Sequence, residues 1–301
     1  ITNQAKYQQV TNLLIQAMEQ QTMQITIEHE DTKIEVKTLT STNYAINPII
    51  KDSIYLTNTK NVGYLAMSSF EEIENNNQNQ QNIDLIFNKF EHKQIKDLIV
   101  DLRYNTGGYV DAAIYIANKI IHPKNNNKLM LTYKVNKYLS QNKESGTFRD
   151  VYFQHNSQLQ LETVYFLVTN ETASAAEMLI NVLKPYMNVQ IIAENYTTYG
   201  KPVGFFQQVI MDKVAIWPVS FLLENGNGFS DYWSGLTADR TNVNDYVFRN
   251  FGDTKETMLA AAIDQSLPSY NTKLRVRSVM KEFNKVKFGI VNSVDQKGSI
   301  K

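Results

Sequence analysis

Three short runs are apolar almost throughout: Leu98–Leu102 (LIVDL), Val164–Val168 (VYFLV) and Val189–Ala193 (VQIIA). A strand without polar–apolar alternation needs cover on both faces, the situation of a parallel sheet packed between helices. Helix-length segments separate the runs. One extends from the Tyr104–Gly108 turn to about Ile121. Another spans about Ser174 to Leu183 and is stopped by Pro185. Strands alternating with helices imply an α/β core. A chain of 301 residues, 43% of them hydrophobic, can bury one large domain, or a large domain and a fragment.

The flanks read differently. Residues 6–19 place Val10, Leu13, Leu14, Ala17 and Met18 at helical spacing. Residues 23–39 alternate at Ile25, Ile27, Ile34 and Val36, as a hairpin or two short strands do. A helix and a hairpin are too small to fold alone, so this part is expected to be one end of a larger module. Pro48 lies in a linker-like stretch, and 62–67 (VGYLAM) starts a strand. The amide run Asn75–Asn82 reads as a solvated loop before an amphipathic helix over 83–92. Residues 123–160 read as polar and strand-poor. Strands are expected near 205–211 and 214–222, and a helix over 254–267. After Ser269 a basic tail reads as a solvated amphipathic segment. The expected domains are 1–45, 46–268 and 269–301.

Charge and composition exclude several classes. Thirty basic residues balance thirty acidic ones, which argues against a chain held to nucleic acid by bulk charge. Without cysteine there is no disulfide, zinc–thiolate site, iron–sulfur cluster or cysteine nucleophile. No apolar run approaches the roughly 20 residues of a membrane span. The chain opens at Ile1 with no charged-then-apolar leader, so a targeting segment is expected to have been removed or trimmed.

In α/β proteins, sites gather in loops beyond the carboxyl ends of the strands. Three loops qualify. DLRYNTGG supplies adjacent Gly107 and Gly108, whose N–H groups could cradle an anion or simply make a tight turn. TNETASAAEML surrounds Ser174 with small residues at a helix start, where a nucleophile gains from the positive helix end and from the Ala175 N–H. The plainer reading is an N-cap at Thr172 or Ser174. NYTTYGK ends in Lys201. None of His29, His92, His122 and His155 follows a core strand, so a Ser–His–Asp triad has no good candidate. A Ser174–Lys201 dyad does, provided burial keeps the amine neutral near pH 7. Tyr199, Val203, Phe205 and Phe206 could supply an apolar wall.

DLRYNTGG, TNETASAAEML, TTYGK and then Gly235–Asp239 (GLTAD), in that order, resemble the C-terminal processing (tail-specific) serine peptidases of the Ser–Lys type. NPIIKD at 47–52 and DYWSGLTAD look most like the versions found in Bacteroidetes. The resemblance covers about residues 46–268. It implies a ClpP/crotonase-like core, and residues 6–40 resemble the closing third of the PDZ domain that usually precedes it. It also implies Ser174 as nucleophile, Lys201 as general base, and an oxyanion hole of the Ala175 N–H with Gly107 or Gly108. No cofactor or metal is implied. The substrates would be polypeptides cut near their C-termini, in the periplasm or cell envelope. Many members orient the lysine with a glutamine four residues later. Here that position is Phe205, and Tyr199 or Thr198 are the substitutes on offer.

Two other readings compete. One is a peptide-binding scaffold on a degenerate peptidase fold. The other is a crotonase-like acyl-CoA enzyme using the Gly107–Gly108 loop. Glu177 reads as a first-turn acid favoured by the helix dipole. Asp101 and Arg103 read as a structural ion pair, and Trp217 and Trp233 as core or cleft-wall residues.

Overall fold

The computed structural model describes residues 4–29, 32–57, 59–74, 76–141, 148–245 and 249–267. The basic tail expected over 269–301 lies outside the described residues. The chain divides into two units, one holding residues 1–46 with 273–301 and the other 47–272.

The first unit contains helix α1 (Gln4–Met18) and strands β1 (Thr22–Glu28) and β2 (Ile34–Thr40). The strands pair antiparallel, from Thr22 opposite Thr40 to Glu28 opposite Ile34. Along β1 the partly covered residues are Met23, Ile25 and Ile27, the two-residue period read in the sequence. Leu13, Leu14 and Met18 of α1 are exposed.

The second unit begins with β3 (Ile49–Tyr55), β4 (Asn61–Met67), α2 (Gln78–His92), β5 (Ile95–Asp101) and α3 (Val110–Ile120). Next come β6 (Leu129–Lys134), α4 (Lys137–Ser140), β7 (Val151–Tyr152), β8 (Thr163–Val168), α5 (Ala175–Leu183) and β9 (Asn188–Ala193). It ends with β10 (Val203–Phe205), β11 (Gln208–Ile210), β12 (Val214–Ile216), β13 (Val219–Asn225) and α6 (Thr257–Ser266). The main sheet has the order β3-β4-β5-β8-β9. Its last four strands are parallel, and β3 joins antiparallel at one edge. The three apolar runs are its centre and far edge.

Both faces of this sheet are covered, which explains the lack of alternation. Leu65, Leu98, Val100, Val164 and Phe166 pack with Ile83, Phe87, Ile116 and Leu179 from α2, α3 and α5. On the other face Tyr64, Ala66, Ile99, Leu167 and Ile192 pack with Met258, Leu259, Ala262 and Ile263 from α6. Fully burying a Leu, Ile or Met side chain contributes about 1.5–3 kcal/mol. The fold is α/β, as the alternation of elements implies.

A second sheet, ordered β10-β13-β6-β7, is antiparallel, and β11 and β12 form a separate hairpin. Three local expectations fail here. The stretch 123–160 does contain strands, β6 and the short β7. The linker-like stretch after Pro48 becomes β3, a half-exposed edge strand with too little apolar pattern to announce itself. The amide run is not wholly loop: α2 starts at Gln78, and Asn77 caps it by accepting from Gln80 N–H at 2.9 Å.

Candidate active site

The loops after β5, β8 and β9 meet at one end of the main sheet and are stitched together by backbone. Ala173 N–H donates to Asn105 O at 3.0 Å, and Tyr199 N–H donates to Thr172 O at 3.0 Å. Asn105, fully buried, anchors the first loop further. Its amide donates to Met67 O at 3.1 Å, and its Oδ1 accepts Gly107 N–H at 3.0 Å. The end of the fourth motif lies beside β9, where Ile192 and Arg240 form an isolated bridge. Asp239 Oδ2 accepts Ile191 N–H at 2.8 Å, and Ala193 N–H donates to Arg240 O at 2.9 Å.

Ser174 sits at the N-cap of α5 with φ 58° and ψ −120°. A non-glycine residue held there costs on the order of 1–3 kcal/mol and persists only where its surroundings impose it. A strained serine at a strand-to-helix turn is a device for presenting a nucleophile. The first loop closes directly on it. A Cβ built on Gly107 would lie 2.7 Å from Ser174 Cβ and 2.9 Å from Ala175 N, so only glycine fits. Of the two glycine donors, Gly107 is spent on Asn105. The N–H groups of Gly108 and Ala175 donate to no acceptor among the described residues.

Glu177 is more than a first-turn acid. It is fully buried, and its two oxygens accept four donors from two segments, the start of α5 and the 198–201 loop. Oε1 takes Thr198 Oγ1 at 2.5 Å and Gly200 N–H at 2.7 Å. Oε2 takes Ser174 N–H at 3.0 Å and Lys201 N–H at 2.8 Å. Thr198 Oγ1 accepts Leu236 N–H at 2.7 Å, so its own proton is free to donate to Glu177. Burial pushes the Glu177 carboxyl above its ordinary range, and the four donors pull it back toward the ionised form. Sequence spacing placed Glu177 on the first turn of α5 but could not show the Thr198–Lys201 loop folding onto it.

Lys201 is half-buried, with Nζ 4.6 Å from the centre of the Phe205 ring. Phe206 packs with Phe148 and Phe221 at ring distances of 5.8 and 5.4 Å, and Tyr199 is exposed. Thr198 serves Glu177. Trp217 and Trp233 are exposed, at 44% and 58%, rather than core residues.

Behind the first loop lies a buried charge cluster. Arg103 pairs with Asp101 and Asp245 at 2.6 Å each, and with Glu256 at 3.2 Å. Tyr64 donates to Asp101 at 2.7 Å, and Tyr104 donates to Asp245. Glu256 also caps α6, accepting Met258 and Leu259 N–H. Asp101–Arg103 is an ion pair, as read from the sequence. Asp245 and Glu256, about 140 and 150 residues downstream of Arg103, gave no sequence signal.

Comparison with known proteins places this geometry. Residues 61–216 match the model of peptidase family S41. The chain is 30% identical over 141 residues to the carboxy-terminal processing protease CtpA of Bacillus subtilis, a match covering 47% of the chain and 26% of that protein. A crystal structure from Bacteroides fragilis described as an S41 protease superposes with a TM-score of 0.66 at 29% identity, over 81% of this chain and 66% of the other. The photosystem II D1 C-terminal processing protease superposes with a TM-score of 0.51 at 19% identity, over 73% and 55%. The chain thus spans under two thirds of the length of these relatives. A match across more than half of its residues, over four of the five main-sheet strands, the Ser174 helix and the Lys201 loop, settles its descent: this chain belongs to peptidase family S41.

Proposed function

We propose that the protein is a serine endopeptidase acting through a Ser174–Lys201 dyad. One observation carries this reading: a strained Ser174 whose amide shares a single carboxylate oxygen with the amide of Lys201. Two residues 27 positions apart are thereby held in one local frame. Lys201, deprotonated, takes the proton of Ser174 Oγ as the oxygen attacks a peptide carbonyl. The N–H groups of Ala175 and Gly108 receive the developing oxyanion, and losing one such donor typically costs about 3–4 kcal/mol. The protonated amine of Lys201 then gives its proton to the leaving nitrogen as the C–N bond breaks. The same amine next deprotonates water as its oxygen attacks the acyl carbon, and returns the proton to Ser174 Oγ as the acyl–oxygen bond breaks. The relatives named for C-terminal processing support substrates cut near their ends. Among the described residues no helix is long and apolar enough to cross a membrane.

Labelling with a fluorophosphonate and turnover of an unstructured polypeptide test the reading. Wild-type protein is expected to be labelled at Ser174 and to cleave. Ser174→Ala and Lys201→Met should do neither while keeping native circular dichroism. Lys201→Arg should also be silent, because arginine cannot become neutral. Wild-type turnover in any of these variants overturns the dyad. A wild-type chain that resists the reagent and leaves the polypeptide intact would point to a binding scaffold.

A further inference from the structure

Resting on the dyad reading, we propose that Phe205 is the positioning residue for the Lys201 amine, holding it by the face of its ring. The Nζ-to-centroid distance of 4.6 Å is inside the roughly 6 Å range of attraction between an ammonium and an aromatic quadrupole. The local backbone dedicates this ring to the lysine. Phe205 is the last residue of β10, and Phe206, just past the strand end, takes the packing role against Phe148 and Phe221. The register of β10 against β13 shifts between Gly204 and Phe205, the kind of irregularity that re-aims a side chain. Gly204 leaves room for the Phe221 ring. A Cβ there would lie 2.1 Å from the Phe221 ring. Phe205 is thus set apart from the aromatic cluster that surrounds its neighbour.

A ring face differs from an amide as a lysine holder. It attracts the ammonium more than the neutral amine, so it tilts the lysine toward its charged form. Glu177 on α5 is tied to the Lys201 segment, and Tyr232, before the fourth motif, lies in the field of Glu177. Glu177 accepts the Lys201 N–H, and its charge favours the ammonium too. Tyr232 is buried and stays neutral, its ionisation pushed up by burial and by the Glu177 charge. Replacing Phe205 removes the ring's contribution and leaves that of the carboxylate.

The test is the rate of fluorophosphonate labelling at Ser174 of the whole chain between pH 6 and 10. Phe205→Leu should shift the rising limb to lower pH by about half a unit to one unit, the worth of a partly desolvated ring–ammonium contact. Phe205→Trp, which restores a ring face, should leave the limb within a few tenths of a unit of wild type. A limb unmoved in the leucine variant, or moved equally in both variants, overturns the assignment. Lys201→Met separates the two levels. If it labels at the wild-type rate, the dyad itself fails. If it is silent while Phe205→Leu behaves as wild type, only the role of Phe205 fails.

Discussion

The backbone amides of Ser174 and Lys201 donate to the same atom, Glu177 Oε2, at 3.0 and 2.8 Å. Their relative placement therefore depends on one buried carboxylate. In Glu177→Gln the side chain keeps its size but loses an acceptor, and its NH₂ group would face N–H donors. Two orphaned buried donors should cost about 1–3 kcal/mol in urea unfolding. A displacement of either loop by about 1 Å can cost on the order of 10²-fold in rate, and labelling of Ser174 should fall accordingly. Wild-type labelling in this variant would show that Glu177 only braces the fold.

The same carboxyl makes a prediction about pH. Burial raises both Glu177 and Glu256 above the ordinary carboxyl value. A group raised on folding binds protons more readily in the native state. The stability it contributes is full below the ordinary value and is lost as pH rises through the native one. Acidification from pH 7 to about 5 should therefore favour wild-type protein over Glu177→Gln, with Glu256 common to both. Urea midpoints at the two pH values measure this. A wild-type advantage that shrinks on acidification would reverse the assigned direction.

Much of the main sheet was legible because its strands are covered on both faces. Continuous apolar runs such as 164–168 can satisfy few other environments. Edge elements were harder to read: β3 is half-exposed and β6 carries only three consecutive apolar residues, so neither shows the pattern of a buried strand. In the site, the loops were readable from small residues at strand ends, but their wiring was not. Asn105 and Glu177 act through hydrogen bonds to distant backbone, and no spacing rule reports where a loop 20 or 70 residues away will fold. Phe205 reads in the sequence as part of an apolar wall and as the residue where many relatives carry a glutamine, but no spacing rule reports that its ring lies 4.6 Å from Lys201 Nζ.

The Arg103 cluster is lopsided in charge, and this fixes how its variants should behave. One buried guanidinium faces Asp101, Asp245 and Glu256. Removing it in Arg103→Met leaves three buried carboxyls without a cation, and breaking such a set typically costs about 3–5 kcal/mol. Asp245→Asn removes one acid from a surplus and leaves Arg103 paired with Asp101 and Glu256. Its cost in urea unfolding should be the smaller of the two. Equal losses would mean that the individual hydrogen bonds, and not the charge imbalance, dominate this region.

Gly200 and Gly235 let the Lys201 loop and the fourth motif pass in backbone contact, and a paired glycine experiment separates that contact from conformational preference. Gly235 has φ 90°, and a Cβ there would lie 2.1 Å from Thr198 O. Gly228 has φ 75°, yet a Cβ there meets nothing within 4 Å. Gly228→Ala should therefore show only the conformational penalty, about 1–2 kcal/mol, and leave Ser174 labelling unchanged. Gly235→Ala adds a collision with the segment carrying Thr198, Gly200 and Lys201, all donors to Glu177. Relieving it means moving that segment, so labelling should fall at least about tenfold beside a larger loss of stability. If both alanine variants label alike, the close approach of the two segments has no bearing on the reactivity of Ser174.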